Sequence, residues 1–323
     1  MRKRSRQIGA LLLASALVFT AASLPESRAA NAVEIGQSCS VNFNISGDWQ
    51  ELRSVTIPVR LYKVADISAS GRYTALEAYK GVDFGAVENS GSASVWMERA
   101  AEASKIASSG TPDETGSITN GGLTIDDLST GLYLVEAEEV ESEYYEYSFT
   151  PYLLSLPDNR YYDTQNDAWQ YDVDVTLKPE RKERFGSLVI EKNLVSHNGS
   201  MGDAATFVFR IDIETLKGER TSKNVALKFE GTGNDTATIK DIPAGSKVTV
   251  EEVYEGAGYR LTSDTPKVQT VENIPADGSE KVTFKNESDG TITGGYGVIN
   301  HYSVDENGQY VHEQLESSSD SPS

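Results

Sequence analysis

Along most of the chain, apolar and polar residues alternate with a period of two, the signature of half-buried strands. The run Gly186-Ser-Leu-Val-Ile-Glu-Lys-Asn-Leu194 is the most informative of these segments. Leu188, Ile190 and Lys192 share one parity, so a strand turns all three toward the same face. That face looks inward, which sets a lysine in an apolar core, where a lone ammonium is costly. Lys192 therefore has a partner, or has reacted, or the strand assignment fails.

Other segments repeat the pattern. Val41, Phe43 and Ile45 alternate, as do Ile57, Val59, Leu61 and Lys63. Further strands are expected at Gly122–Ile125, Gly131–Val135, Tyr147–Leu156 and Trp169–Leu177. The one helical period runs from Ser92 to Ser108. Trp96, Ala100, Ala103 and Ala107 fall on one face, Ser92 or Ser94 supplies the cap, and Gly110 and Pro112 stop it. Lys178-Pro-Glu-Arg-Lys-Glu-Arg184 is charged and proline-containing, which marks a linker at 180–185. Strands then return at Phe207–Ile213, Ala226–Phe229, Thr236–Ile239, Lys247–Val253, Lys281–Asn286 and Val298–Tyr302, and Asn307-Gly308 reads as a hairpin turn. Strands at such spacing with turn residues between them predict a mainly β chain of two tandem Ig-like β-sandwich domains, 33–179 and 186–313, the first carrying the helix. The polar, Ser-rich stretch 314–323 is expected to be disordered.

Composition narrows the setting. Hydrophobic residues make up 38% and charged residues 24%, and the formal net charge is −20. Residues 1–32 read as a signal peptide: Arg2, Lys3, Arg4 and Arg6, an apolar stretch from Ile8 to Leu24, then Ala30-Asn-Ala32 as the cleavage site, with Ser27-Arg-Ala29 as a competitor. That leader carries +4, so its removal leaves the mature chain at −24. So acidic a body argues against nucleic-acid binding. No later stretch is apolar enough to span a membrane. Cys39 is the only cysteine, so no internal disulfide forms; it reads as a buried strand residue, and no motif supports a thioester there.

The second domain resembles the collagen-adhesin B-type (CnaB-like) domains of Gram-positive surface proteins and pilins. The match rests on Gly186-Ser-Leu-Val-Ile-Glu-Lys192, on Ile242-Pro-Ala-Gly-Ser-Lys-Val-Thr-Val-Glu-Glu252 followed by Gly258-Tyr259, and on Val282-Thr-Phe-Lys-Asn286. The first domain is similar to the N-terminal domain of sortase-assembled pilins through Leu61–Ile67, Leu128–Val135, Phe149–Pro157 and Trp169–Pro179. The resemblance implies a secreted or cell-surface structural or adhesive protein that is not an enzyme, needs no cofactor, and has other pilin subunits joined by a sortase as partners. The alternative is an unpolymerised surface adhesin that binds a host protein or glycan.

CnaB-like domains often carry a self-formed isopeptide bond between a lysine and an asparagine, assisted by an acid. On the resemblance those residues are Lys192, Asn286 and Glu252. Parity is compatible with it: Val248, Val250 and Glu252 share a face, as do Val282, Phe284 and Asn286. Burial lowers a lysine pKa and raises a carboxyl pKa, so a neutral amine becomes a nucleophile while the acid polarises the carboxamide. The bond would close a loop of 94 residues, worth about 4–5 kcal/mol by analogy with a disulfide. Read from parity alone, Lys192 and Glu252 form an ordinary buried ion pair. Glu251 replaces Glu252 if the strand bulges, and Asn300 is a second acceptor on a late strand. In the first domain the equivalent acid position falls on Ala137 and no acceptor is in phase, so Lys63 is expected to stay unreacted and solvated or ion-paired.

Pilin backbones also carry a Pro-Lys motif whose lysine joins subunits. Here Glu180 follows Pro179, leaving Lys178 as the nearby inter-subunit candidate. No Leu-Pro-x-Thr-Gly sorting signal is present in the sequence, and the Ser/Asp/Pro tail resembles the start of a wall-spanning spacer. His197, His301 and His312 lack metal-ligand spacing. Glu136, Glu138, Glu139, Glu141 and Glu143 form an acidic run read as a solvated loop. Tyr144, Tyr145, Tyr147, Tyr161 and Tyr162 form a patch read as half-buried sheet packing.

Overall fold

The computed structural model describes residues 32–85, 93–159, 168–199, 204–291, 301–304 and 310–313. The leader, the Asn307-Gly308 turn, the Ser-rich tail, Tyr161 and Tyr162 lie outside these residues. The chain is mainly β and divides into two units, one comprising 1–140 and 147–180, the other 141–146 and 181–323.

In the first unit, β1 (Cys39–Ile45), β2 (Ile57–Ile67) and β3 (Tyr73–Ala75) precede a helix, α1 (Ala93–Ala107). Then come β4 (Glu114–Ile118), β5 (Gly122–Leu128) and β6 (Gly131–Ala137), next β7 (Val140–Glu141) and β8 (Tyr145–Phe149), each of which straddles the division between the units, and β9 (Tyr152–Leu156), β10 (Asp158–Asn159), β11 (Trp169–Gln170) and β12 (Asp172–Leu177). One sheet has the order β12-β1-β5, and the other β3-β2-β6-β9 with β4 also on β2. The expected strand Tyr147–Leu156 is two strands, because Pro151 has no N–H to carry a ladder through. The helix is described from Ala93, with Ser92 outside the described residues, and its Ala100, Ala103 and Ala107 are buried in a cluster with Tyr62, Val64, Leu132 and Leu134. Strand β2 is thus buried on both faces: Ile57, Val59 and Leu61 are buried with one parity, Tyr62 and Val64 with the other.

The predicted linker is a strand, β13 (Pro179–Glu183), in a sheet of order β13-β8-β7. Pro179 sits at its first position and the strand lies at the sheet edge, where a missing N–H is tolerated. Its residues Glu180, Arg181 and Lys182 are all exposed, so it has no apolar face and no period-two signal to read. Glu141–Glu146 groups with the second unit, tied there by Arg184. The Arg184 guanidinium pairs with Glu141 at 2.9 Å and with Asp277 at 2.5 Å, and donates to the Ser142 carbonyl at 2.7 Å.

The second unit continues with β14 (Phe185–Leu194), β15 (Ala205–Glu214), β16 (Arg220–Phe229), β17 (Gly233–Pro243), β18 (Lys247–Tyr254), β19 (Tyr259–Leu261), β20 (Val268–Val271) and β21 (Ser279–Ser288). A hairpin, β22 (His301–Val304) with β23 (Tyr310–Glu313), follows. One sheet has the order β17-β14-β21-β19 and its partner β16-β15-β18-β20. The two share one core, with Leu188, Ile190, Val282 and Phe284 from the first against Phe207, Phe209, Ile211, Val248 and Val250 from the second. β14 and β21 run parallel, with Lys192 opposite Phe284 and Leu194 opposite Asn286.

Gly186 opens β14 where the backbone is crowded. A Cβ there would collide with the Pro275 carbonyl oxygen and lie 2.7 Å from Ile274 Cγ2 and 3.1 Å from the Gly278 carbonyl oxygen. Gly186→Ala is therefore expected to lower the unfolding free energy by about 1–3 kcal/mol, the usual range for an overpacked site. Urea denaturation measures it, and an unchanged midpoint would show that the neighbouring backbone yields freely.

Candidate functional site

Strand β14 alternates burial without interruption from Gly186 to Leu194, and Lys192 occupies an inward position. Glu252 is inward on β18 of the opposite sheet, across from Phe209, and Asn286 is inward on β21. All three side chains are 0% exposed, which makes them three of only five buried polar or charged residues among those described. Three strands from two sheets converge on one point in the sandwich.

The contacts there are close. Lys192 Nζ donates to Glu252 Oε1 at 2.6 Å and also to Asn286 Oδ1. Asn286 Nδ2 donates to the same Glu252 Oε1 at 3.1 Å and to the Glu255 carbonyl at 3.3 Å. Glu252 Oε2 is buried with no hydrogen-bond partner. The walls are apolar and aromatic: Lys192 Nζ lies 4.1 Å from the centre of the Phe207 ring and 5.6 Å from that of Phe209. Phe207 in turn packs edge-on to Phe229 and Tyr259.

Burial dominates the electrostatics. Desolvation pushes the Lys192 amine below the usual lysine range, against the opposing pull of Glu252. Desolvation likewise pushes the Glu252 carboxyl above the usual carboxylate range, and the neighbouring Lys192 opposes it. A pair in such a site exchanges one proton between an ionic and a neutral form, and its titration belongs to the pair and not to either residue. The neutral form puts an amine lone pair beside a carboxamide, with an acid that touches both nitrogens.

The other candidates stand elsewhere. Glu251 points outward and pairs with Arg210 at 2.8 Å, because β18 alternates regularly from Val248 to Glu252 and the register shift opposite Val208/Phe209 falls beyond Glu252, at Val253. Asn300 lies outside the described residues. Lys63 stays in register with Leu61 in the β2–β6 ladder, just ahead of a register shift between Lys63 and Ala65, and pairs with Asp66 at 2.8 Å. Lys178 is exposed between β12 and β13. Cys39 is buried in β1, and burial pushes its thiol up to about 11. In the acidic run, Glu136 accepts from Ser104 Oγ at 2.6 Å and Glu138 pairs with Arg60. Tyr147 is fully buried, whereas Tyr144 and Tyr145 are half-buried. Among the described residues no group of three or more His, Cys, Asp or Glu could hold a metal ion, and no helix is long and apolar enough to cross a membrane. Sequence reasoning missed the Phe207 and Phe209 rings beside Lys192 Nζ, and also the carbonyl of Glu255, since a main-chain acceptor leaves no mark on residue identity.

A family model described as a domain of unknown function (DUF5979) matches residues 188–289. The matched segment contains Lys192, Glu252 and Asn286. No curated protein matches the chain. Among solved structures, the minor pilin GBS52 of Streptococcus agalactiae is similar at 13% identity, covering 80% of this chain and 99% of that one, with a TM-score of 0.25. The major pilin SpaD of Corynebacterium diphtheriae is similar at 10% identity over 80% and 99% of the two chains, with a TM-score of 0.27. The shaft pilin SpaA of Lactobacillus rhamnosus GG is similar at 12% identity over 80% and 100%, with a TM-score of 0.29.

The two look-alike lysines separate by experiment. The Lys63 side chain is 19% exposed and its partner Asp66 62% exposed, so Lys63→Met should change the unfolding free energy by less than about 1 kcal/mol, as for other solvated pairs. A larger loss in thermal or urea unfolding would mean that Lys63 carries a structural load.

Proposed function

We propose that this chain is a secreted or cell-surface protein of structural or adhesive role, a pilin-like subunit whose second unit staples itself with an isopeptide bond between Lys192 and Asn286. The observation that carries the reading is the fully buried Lys192–Glu252–Asn286 cluster in an otherwise apolar sandwich core. A buried ion pair alone contributes little net stability, so an unreacted cluster would be a poor use of the core. The signal-peptide pattern and the resemblance of both domains to surface pilins supply the setting.

The chemistry follows from the contacts. In the neutral form, Lys192 Nζ attacks the Asn286 side-chain carbonyl carbon. Its surplus proton passes to Glu252 Oε1, 2.6 Å away. The same oxygen is 3.1 Å from Asn286 Nδ2, so Glu252 hands a proton to the leaving nitrogen. A C–N bond forms, the bond from the carbonyl carbon to Nδ2 breaks, and ammonia departs. Glu252 ends as it began, and the step occurs once per molecule. From sequence, Glu252 is expected to hydrogen-bond the carboxamide oxygen; here it meets the amide nitrogen, a position suited to proton transfer.

The product ties β14 to β21 across 94 residues. Cross-linking a loop of this length stabilises by about 4–5 kcal/mol on the chain-entropy view. A chain with one cysteine has no disulfide to do this.

A second reading, an unpolymerised adhesin, is favoured by Glu180 standing after Pro179, where pilin backbones have their joining lysine. Incubation with a pilus-type sortase separates the two. A ladder of high-mass species that disappears in Lys178→Ala supports polymerisation through Lys178, and a persistent monomer supports the adhesin.

For the cross-link, the intact mass of residues 33–323 should be lower than the sequence mass by one ammonia. Lys192→Ala should restore the full mass and lower stability by at least about 4–5 kcal/mol. An unshifted wild-type mass overturns the bond. Its rate of formation, followed by quenching cell-free synthesis at intervals, should be bell-shaped in pH. Acid protonates the amine, whose pKa burial has lowered, and base ionises the acid, whose pKa burial has raised, so the reactive form is lost on both sides. A rate that climbs steadily with pH would remove Glu252 from the mechanism.

A further inference from the structure

The contacts of Asn286 contain a feature that the three-residue mechanism does not use. A carboxamide can present either end to an incoming amine, and only one orientation puts the leaving nitrogen on the acid. Glu252 Oε1 is shared between Lys192 and Asn286, so by itself it does not choose between the two ends. The choice is made by a second acceptor, the main-chain carbonyl of Glu255, 3.3 Å from Asn286 Nδ2. A carbonyl accepts and never donates, so it selects the NH2 end. From these contacts we infer that the Glu255–Gly258 connection between β18 and β19 is the positioning element of the cross-linking reaction, with Glu255 and Gly256 as its determinants. The inference rests on the isopeptide reading given above.

Three observations hold that carbonyl in place. The Glu255 carboxylate is anchored outward, pairing with Lys267 at 3.3 Å and accepting from the Leu261 N–H at 3.4 Å. Leu261 is the β19 residue directly opposite Asn286 in the β21 ladder. The side chain of Glu255 therefore indexes its own carbonyl to the residue facing the acceptor. Gly256 then turns at φ +81°, and a Cβ there would lie 3.1 Å from Tyr259 Cδ2, 3.2 Å from Phe207 Cε1 and 3.3 Å from the Thr206 carbonyl oxygen. Phe207 is the ring under Lys192 Nζ. Only glycine combines that φ with so close an approach, and the approach brings the connection down onto the reacting atoms. The far end is tied as well, with Asp289 N–H donating to the Gly258 carbonyl at 3.1 Å.

The same geometry gives the product a route out. Asn286 is fully buried, whereas the Glu255 side chain is 29% exposed. The residue whose carbonyl meets the leaving nitrogen is thus also one whose side chain reaches solvent. When the bond from the carbonyl carbon to Nδ2 breaks, ammonia carries the proton relayed by Glu252 and is released against the Glu255 carbonyl.

The test is the rate of ammonia loss, read by intact mass in quenched cell-free synthesis of the full chain, for Glu255→Ala, Glu255→Gln and Gly256→Ala. Glu255→Ala removes the tether and Gly256→Ala displaces the turn. Each should slow cross-linking by about tenfold, the equivalent of one lost hydrogen bond. Glu255→Gln keeps an acceptor for the Leu261 N–H and should restore most of the rate. Each variant is also placed in a Lys192→Ala background, where no bond forms, and its unfolding midpoint measured. Midpoints that move by much less than the rates support positioning. Wild-type rates in Glu255→Ala and Gly256→Ala overturn the inference while leaving the cross-link intact. So does a rate loss that Glu255→Gln fails to restore, or one matched by an equal loss of stability. A wild-type chain that never loses ammonia overturns both.

Discussion

Removing two ionisable groups from water between two β-sheets is the constraint on which the second unit depends. Lys192 and Glu252 have no solvent to share their charges with, and the surrounding side chains are Phe207, Phe209 and aliphatic residues. Each group is driven toward its neutral state, and the two are hydrogen-bonded to each other at 2.6 Å. The same desolvation that would destabilise an inert core favours a neutral amine and a protonated acid beside a carboxamide. What looks like a packing fault is a lysine, an acid and a carboxamide held within hydrogen-bond distance of one another, the arrangement on which the proposed cross-link rests.

That arrangement needs the topology around it. Lys192 and Asn286 come from adjacent parallel strands of one sheet, and the acid comes from the other. Parallel pairing of an early and a late strand brings residues far apart in sequence to the same level of the sandwich. The first unit has a similar parallel pair, β1 with β12, but there Asp172 and Asp174 face outward, and Lys63, on β2, pairs with Asp66. The two units share a way of pairing their strands and differ in what they bury.

Much of the first unit's departure from its sequence pattern has one cause. Strand β2 is covered on both faces, by its partner sheet and by α1, and a register shift near Lys63 changes its phase. A period-two reading assumes one buried face throughout, so it leaves Tyr62 and Val64 on the solvent side although both are buried. The strand β13 was unreadable for the opposite reason, because Glu180, Arg181 and Lys182 are all exposed and leave no apolar period. In the second unit one face is buried throughout β14, β18 and β21, and there parity placed Lys192, Glu252 and Asn286 on the core side.

By itself, then, the sequence determined the mainly β character, the helix and the inward parity of the three polar residues, since alternation and helical spacing are local properties of the chain. It left open whether those inward faces meet. Only the tertiary structure decided that β14, β18 and β21 converge within hydrogen-bond distance, that Glu251 turns away to Arg210, and that Glu252 meets the amide nitrogen of Asn286 and not its oxygen. Sheet register and main-chain acceptors such as the Glu255 carbonyl decide these contacts, and they arise from pairings between residues 31 to 94 positions apart that no local pattern records.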